Sequence, residues 1–315
     1  MNYLKDTKMI KGDASFRKFF RKNYKNFSSI IVYANKDKFK NLLIYDAINK
    51  LLIKNKILAP KLYSQHYKKN FIEIEDFGKQ SIFKILRNKK NKVFYFKKII
   101  QLLNKVQKVK DRKIKNFNGE NYFIPKYSEK ILYNETILFC EWYVEKNFSK
   151  KIREKFVKQF KKIVRKLVSK LELKNNTFVH RDFHVSNLMM VDKKIGMIDN
   201  QDALIGNKAY DLASLIDDVR LKTSQEDKKK IFDFYIRNQK KLEKKKFKND
   251  FEILSVLRNL KIIGIFTRLA TRDNKKNYIK MIPYAWELIN TRIHQNEELE
   301  SLKNLLNENF KKKIK

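Results

Sequence analysis

Residues 178–202, FVHRDFHVSNLMMVDKKIGMIDNQD, constrain what this chain can fold into more than any other stretch. The apolar pair Phe178-Val179 stops at His180-Arg181-Asp182, and Asn187 follows after four more residues. A second apolar run, Leu188 to Val191, leads through Asp192-Lys193-Lys194 into Ile195-Gly196-Met197-Ile198-Asp199. Short apolar runs broken by a polar turn predict a loop followed by a hairpin. Such a hairpin would hold Asp182, Asn187 and Asp199 close together. Magnesium-dependent phosphoryl transfer needs that set: one carboxylate near the attacking hydroxyl, plus an amide oxygen and a second carboxylate for the metal. Taken alone, the His and Asp of such a strand end serve equally well to satisfy local backbone groups.

The bulk composition narrows the alternatives. A chain of 315 residues has room for one large domain or two lobes, and 43% hydrophobic with 13% aromatic residues describes a folded protein, not a basic disordered tail. No run of eighteen apolar residues occurs, so no ordinary membrane span is expected. The start, Met1-Asn2-Tyr3-Leu4-Lys5-Asp6, lacks the apolar stretch of a secretory signal. Cys140 is the single cysteine, which excludes an internal disulfide and fits a reducing cytoplasm. The net charge of +40 invites a nucleic-acid reading. However, the lysines are spread over almost every segment, which points to a compositional bias and not to a binding face. We therefore expect no specific nucleic acid, no membrane and a monomer.

The catalytic loop of protein kinases reads H-R-D-x-x-x-x-N, and His180-Arg181-Asp182-Phe183-His184-Val185-Ser186-Asn187 matches it. Where a protein kinase has Asp-Phe-Gly, this chain has Asp199-Asn200-Gln201. With His184 two residues after Asp182, the pattern resembles the aminoglycoside phosphotransferase branch of the kinase-like fold. Asp211-Leu212-Ala213 is similar to the buried Asp that starts a helix in that branch. The resemblance implies an α+β, two-lobed, protein-kinase-like fold. Residues 1–78 would form a small antiparallel-sheet, nucleotide-binding N-lobe, and 79–315 a larger, mainly helical C-lobe. It further implies Asp182 as the catalytic carboxylate, Asn187 and Asp199 as magnesium ligands, and structural roles for His180 and Asp211.

In chain order, Lys11-Gly12-Asp13-Ala14-Ser15-Phe16-Arg17 precedes an alternating aromatic strand, a turn whose N–H groups suit a phosphate. Ser15 and Arg17 are the nucleotide candidates, and of Arg17 and Arg21 only one need face inward. A kinase would place its phosphate-binding Lys near Tyr33. None is there, and Arg17 is the best substitute. Residues 37–57 carry a helical apolar stripe without a Glu to pair with such a Lys. Phe71 to Gly78 alternates as a half-exposed strand and stops at a glycine. In a kinase the main chain of Glu75 to Phe77 would meet the adenine edge; a plain strand and turn accounts for the segment equally well. Helical periodicity then runs over 79–88, 91–110, 127–147 and 149–174. Within the third, Glu135, Glu141 and Trp142 suit a sugar, although core packing explains the aromatic positions as well. Gly264, inside an apolar helix, implies close packing against a neighbour.

Several ordered segments resemble one branch of that family, the bacterial kinases acting on N-acetylmuramate and N-acetylglucosamine. They are residues 12–21, 74–78, 134–145, 180–187, 197–215 and 258–273. The branch usually has Phe where Asn200 stands and Pro where Cys140 stands. The resemblance implies ATP and Mg2+ as cofactors, and phosphorylation of an anomeric hydroxyl in cell-wall recycling. His184, Asp202, Arg258 and Arg268 join Glu135, Glu141 and Trp142 as acceptor-binding candidates, with Arg258, Arg268 and Arg272 available to an acceptor carboxylate. Two other readings stay open. One keeps the enzyme class but takes an aminoglycoside, choline or another small alcohol. The other is a catalytically silent nucleotide- or RNA-binding module, against which stand all three of Asp182, Asn187 and Asp199.

Overall fold

The computed structural model describes residues 6–10, 17–35, 40–89, 91–240, 242–310 and 313–314. In chain order the elements begin with β1 (Thr7–Ile10), β2 (Lys18–Asn23), β3 (Ser28–Tyr33), α1 (Asn41–Lys54), β4 (Leu62–His66) and β5 (Phe71–Glu75). There follow α2 (Ile82–Arg87), α3 (Val93–Val106), β6 (Lys113–Lys115), β7 (Asn121–Phe123), α4 (Glu129–Leu138), a π-helical turn (Phe139–Val144) and α5 (Glu145–Asn147). After α6 (Lys150–Ser169) and β8 (Thr177–Val179) come the hairpin strands β9 (Leu188–Val191) and β10 (Lys194–Met197). The chain ends through β11 (Leu204–Gly206), α7 (Ala209–Ile216), α8 (Gln225–Arg237), α9 (Lys244–Thr271), α10 (Ile282–Ile293) and α11 (Glu300–Asn309).

These elements form two compact units: Met1–Pro125 with His180–Leu204, and Lys126–Val179 with Ile205–Lys315. The first is built on an antiparallel sheet ordered β1-β2-β3-β5-β4. Alternation along β3 and β5 sends Val32, Ile72 and Ile74 to one face, where Leu42 and Tyr45 of α1 close the core. The sequence-based division at residue 78 therefore differs from the compact units. α2, α3 and the hairpin belong with the sheet, and β9 and β10 are hydrogen-bonded to the segments just before β4 and just after β5. The Met190 N–H donates to the Gln80 carbonyl at 2.9 Å, and the Met197 N–H to the Leu58 carbonyl at 2.8 Å. The hairpin turn, Asp192-Lys193, has φ of 44° and 64°. Two left-handed residues make the turn whose twist suits a two-residue hairpin.

The second unit is organised on α9, whose residues are buried along most of its length. Gly264 explains how α4 comes so close: a Cβ there would collide with the Leu138 carbonyl and the Phe139 nitrogen, where the π-helical turn begins. No helix among the described residues is long and apolar enough to cross a membrane. Two buried carboxylates of this unit are well compensated. Asp217 accepts from Lys228 Nζ at 2.7 Å, Arg292 Nε at 2.8 Å and Ser255 Oγ at 2.6 Å. Asp250 accepts the backbone N–H groups of Glu172 and Leu173 at 2.9 Å each and Asn207 Nδ2 at 2.6 Å. Asp211 lies in the first turn of α7 and is buried, where a carboxylate is favoured.

Glu252, on α9, is less well compensated. Burial pushes its carboxyl from an ordinary 4.5 up to about 7, against the opposing pull of Lys248, Arg292 and the Asn296 side chain. Between these two values the folded chain holds a proton that the unfolded chain has released. Stability attributable to this group therefore falls as pH rises through that window and stays lower above it. Glu252→Gln should remove this dependence. Thermal midpoints at about pH 5 and about pH 8 should show the variant gaining on the parent at the higher pH; an equal difference at both would show that Glu252 does not titrate with folding.

Candidate active site

The loop after β8 is shaped by its own main chain. Arg181 has φ 72°, a left-handed conformation that costs a non-glycine residue energy and that clusters at functional sites. Its Nη1 donates to the Asp202 carbonyl at 3.2 Å. The Asp182 carbonyl accepts both the His184 N–H at 2.9 Å and Asn187 Nδ2 at 3.1 Å. With its amide nitrogen so committed, Asn187 keeps Oδ1 for another partner. The Ile198 N–H donates to the Asn187 carbonyl at 3.0 Å, which sets Asn187 against the end of β10 and Asp199 immediately beyond it. Asp199 is left-handed (φ 63°), and its Oδ1 accepts Arg17 Nη2 at 2.8 Å and Gln201 Nε2 at 3.1 Å. Its Oδ2 takes no hydrogen bond among the described residues.

Does this set fit magnesium? Among the described residues no three or more His, Cys, Asp or Glu side chains gather as a metal cage. Mg2+ needs no such cage, because it is held by one or two carboxylates while waters and substrate phosphates complete its octahedron. An amide oxygen at Asn187 and a carboxylate oxygen at Asp199 are hard donors of the right kind. The site fits the ion.

Two arginines divide the work at the edge of the sheet. Arg17, just before β2, has a side chain 5% exposed and turns to Asp199. Its guanidinium lies 5.6 Å from the Phe19 ring centroid and 5.8 Å from that of Tyr45. Burial pushes the Tyr45 phenol up, and the charge of Arg17 only partly offsets this. Arg21 instead grips Asp76, with Nε–Oδ2 at 2.5 Å and Nη2–Oδ1 at 2.9 Å, and also donates to the Gly78 carbonyl at 2.8 Å. Burial works to raise the Asp76 carboxyl, but hydrogen bonds from Arg21, Ser28 and the Gly78 N–H outweigh it and hold it below the usual range. Ser15 lies outside the described residues. The Glu75 N–H is taken by the Lys61 carbonyl at 2.8 Å, whereas the Phe77 main chain makes no hydrogen bond among the described residues. The Phe77 ring is buried against Gly196 of the hairpin, where an added Cβ would fall 2.6 Å from Cε2.

The acceptor candidates separate by environment. His184, in the catalytic loop, is 3% exposed. Asp202 is exposed, and its Oδ2 accepts Gln201 Nε2 at 2.7 Å. The others lie in the second unit. Glu135 accepts the Tyr127 hydroxyl and Lys261 Nζ, the latter at 3.0 Å. Neither Tyr127 nor Lys261 carries a sequence signal, since the cluster forms only when α4 and α9 pack together. Glu141 is exposed on the π-helical turn and Trp142 is partly buried. Arg258 is 4% exposed, and its Nη1 has no hydrogen bond among the described residues. Burial, then the neighbouring Arg272 charge, lowers the Arg268 pKa. Arg272 is exposed and pairs with Asp273 through two contacts, at 2.7 and 3.0 Å.

Residues 7–242 match the model of the phosphotransferase enzyme family. The chain belongs to that family. It is thus an enzyme that transfers a phosphoryl group to a hydroxyl acceptor, in the aminoglycoside phosphotransferase grouping that the loop resembles. Among curated proteins it is similar to the N-acetylmuramate/N-acetylglucosamine kinase of Pseudomonas putida, at 28% identity over 302 residues covering 94% of this chain and 86% of that one. The protein of the same name from Neisseria meningitidis serogroup B is 26% identical over 287 residues, covering 88% and 83%. Among solved structures, amicoumacin kinase hAmiN in complex with AMP-PNP, Ca2+ and Ami superposes with a TM-score of 0.64 at 12% identity, covering 91% and 88%. Choline kinase LicA from Streptococcus pneumoniae gives 0.62 at 13%, covering 90% and 92%. These structures establish the kinase-like α+β fold.

The contact between Phe77 and Gly196 couples the segment after β5 to the hairpin. Gly196→Ala should force the Phe77 ring aside, costing about 1–3 kcal/mol of stability. The nucleotide KM should rise more than the acceptor KM. Steady-state kinetics with each substrate varied in turn would check this, and equal changes in both would separate Phe77 from the nucleotide.

Proposed function

We propose that this enzyme is an ATP- and Mg2+-dependent kinase that phosphorylates the anomeric hydroxyl of N-acetylmuramate or N-acetylglucosamine, giving the sugar 1-phosphate for cell-wall recycling. The observation that supports it most is the Ile198–Asn187 hydrogen bond, which ties the stretch leading into Asp199 to the loop that carries Asp182 and Asn187. The names of the curated relatives favour the sugar. On this reading Asp182 orients the acceptor hydroxyl and takes its proton late, a light task because an anomeric hydroxyl is more acidic than an ordinary alcohol. Asn187 and Asp199 would hold Mg2+, which when bound neutralises charge on the phosphates. Arg17 replaces the missing strand lysine as the phosphate contact, and the free main chain of Phe77 receives the adenine edge. Glu135, Glu141, Trp142, His184, Asp202, Arg258 and Arg268 remain the candidates for acceptor recognition. Most of the acceleration comes from positioning and electrostatics.

ATP consumption across free sugars, amino sugars, aminoglycosides and choline tests the acceptor class. N-acetylmuramate and N-acetylglucosamine should react, and a methyl glycoside, its anomeric oxygen blocked, should not. Turnover of that glycoside would move the transfer to another hydroxyl and end the anomeric reading.

Asp182 and Asp199 should also fail in different ways. Asp182→Asn keeps the shape but removes the proton acceptor, so turnover should fall about 10²–10⁴-fold with nucleotide and magnesium still bound. Asp199→Asn should raise the magnesium midpoint as well, and Asn187→Ala should resemble it. A magnesium titration of turnover for each variant separates the roles; a midpoint shifted by the Asp182 change alone would reverse them.

A further inference from the structure

A continuous buried chain of side-chain hydrogen bonds runs through the first unit by way of Asn200. His180 Nε2 lies 2.9 Å from Asn200 Oδ1 and 3.2 Å from the Ile198 carbonyl. Both partners are acceptors, so this nitrogen carries the proton. Asn200 Nδ2 donates onward to Asn49 Oδ1 at 2.8 Å and to the Met197 carbonyl at 3.2 Å. Asn49 Nδ2, on α1, donates to the Pro60 carbonyl at 3.1 Å. Burial is nearly complete, with His180 1%, Asn200 none and Asn49 3% exposed. In such surroundings each bond is strengthened, and removing a single partner leaves the next one unsatisfied.

The location gives this chain of bonds a role beyond packing. Asn200 directly follows Asp199, and His180 stands two residues before Asp182. The relay therefore ties the segment bearing the catalytic carboxylate to the one bearing the metal carboxylate, and anchors both to α1. A phenylalanine at 200 could neither accept from His180 nor use Asn49. The two asparagines serve each other.

We propose that Asn49 and Asn200 are positioning residues of this enzyme. They hold His180 in its Nε2–H form and fix Asp199 in the left-handed conformation from which its carboxylate serves the metal. The inference rests on the phosphoryl-transfer reading of the same loop and adds two residues to it. Loss of groups that orient a metal ligand typically costs about 10–100-fold in affinity or activity.

The decisive variant replaces both asparagines together, Asn49→Leu with Asn200→Leu, so that neither amide faces an unmatched amide; the Met197 and Pro60 carbonyls lose their donors, and His180 keeps the Ile198 carbonyl. The expected result is a thermal midpoint lower than the parent's with a cooperative transition retained, turnover lower by about 10–100-fold, and a raised magnesium midpoint both for turnover and for nucleotide binding measured by calorimetry. Parental turnover and an unmoved magnesium midpoint would reduce the pair to packing and overturn the proposal. Should the double variant fold poorly, the single change Asn49→Ala, which leaves the loop untouched, should shift the same midpoint. Nitrogen-15 spectra of the parent, which has 4 histidines, supply a reading independent of activity. The His180 resonance should be that of an Nε2–H imidazole in the parent and change in the Asn200 variant. An Nδ1–H form in the parent would sink the relay even if phosphoryl transfer is established. A parent with the expected His180 signal but no phosphoryl transfer to any acceptor would instead sink the functional reading, and the positioning role with it.

Discussion

One hydrogen bond organises the chemistry of the first unit: the Ile198 N–H to the Asn187 carbonyl. It closes the base of the β9–β10 hairpin, so the residue before β9 is tied to the stretch that leads into Asp199. Everything that makes the site workable follows from that closure. Asn187 can then spend its amide nitrogen on the Asp182 carbonyl, which leaves its side-chain oxygen outside that bond. Asp199 reaches the left-handed conformation that aims one carboxylate oxygen at Arg17. The hairpin is held in turn by Gln80 and Leu58, so the sheet and its flanking segments act as the jig for the loop.

Electrostatics in this basic protein is local. A net charge of +40 says little about the site, because the lysines lie mostly in solvated segments. The charges that matter are the few ion pairs in which at least one side chain is buried. Arg17 neutralises Asp199, Arg21 knots Asp76 at the end of β5, and Lys228 with Arg292 neutralises Asp217 in the second unit. Breaking one such pair leaves an unmatched buried charge, which costs far more than loss of an exposed lysine pair.

Much of the local structure was legible. The hairpin, the α1 stripe and the buried Asp211 all follow from periodicity or motif, and the close approach at Gly264 follows from a glycine where side chains would otherwise stand; β5 reads as half-exposed, but its place between β3 and β4 leaves none of its residues exposed. Less was legible where a contact links residues far apart in sequence. Arg17 and Arg21 share a spacing, and nothing in it tells that one meets Asp199 and the other Asp76. Asn200 reads as a departure from the pattern, with its partner Asn49 invisible in a helical stripe scored only for apolar residues. Of the Tyr127–Glu135–Lys261 cluster, only Glu135 stood out in the sequence.

The sequence by itself determined the chemical inventory. A catalytic loop of fixed spacing, an amide and a carboxylate at hairpin distance, and alternating apolar strands are local properties, set by backbone geometry within a few residues. The tertiary structure decided which polar groups find one another: which arginine meets Asp199, which partners Asn200 has, and why α2, α3 and the hairpin join the sheet unit. Burial makes those choices binding, since a polar group withdrawn from water must find a partner wherever the fold places one.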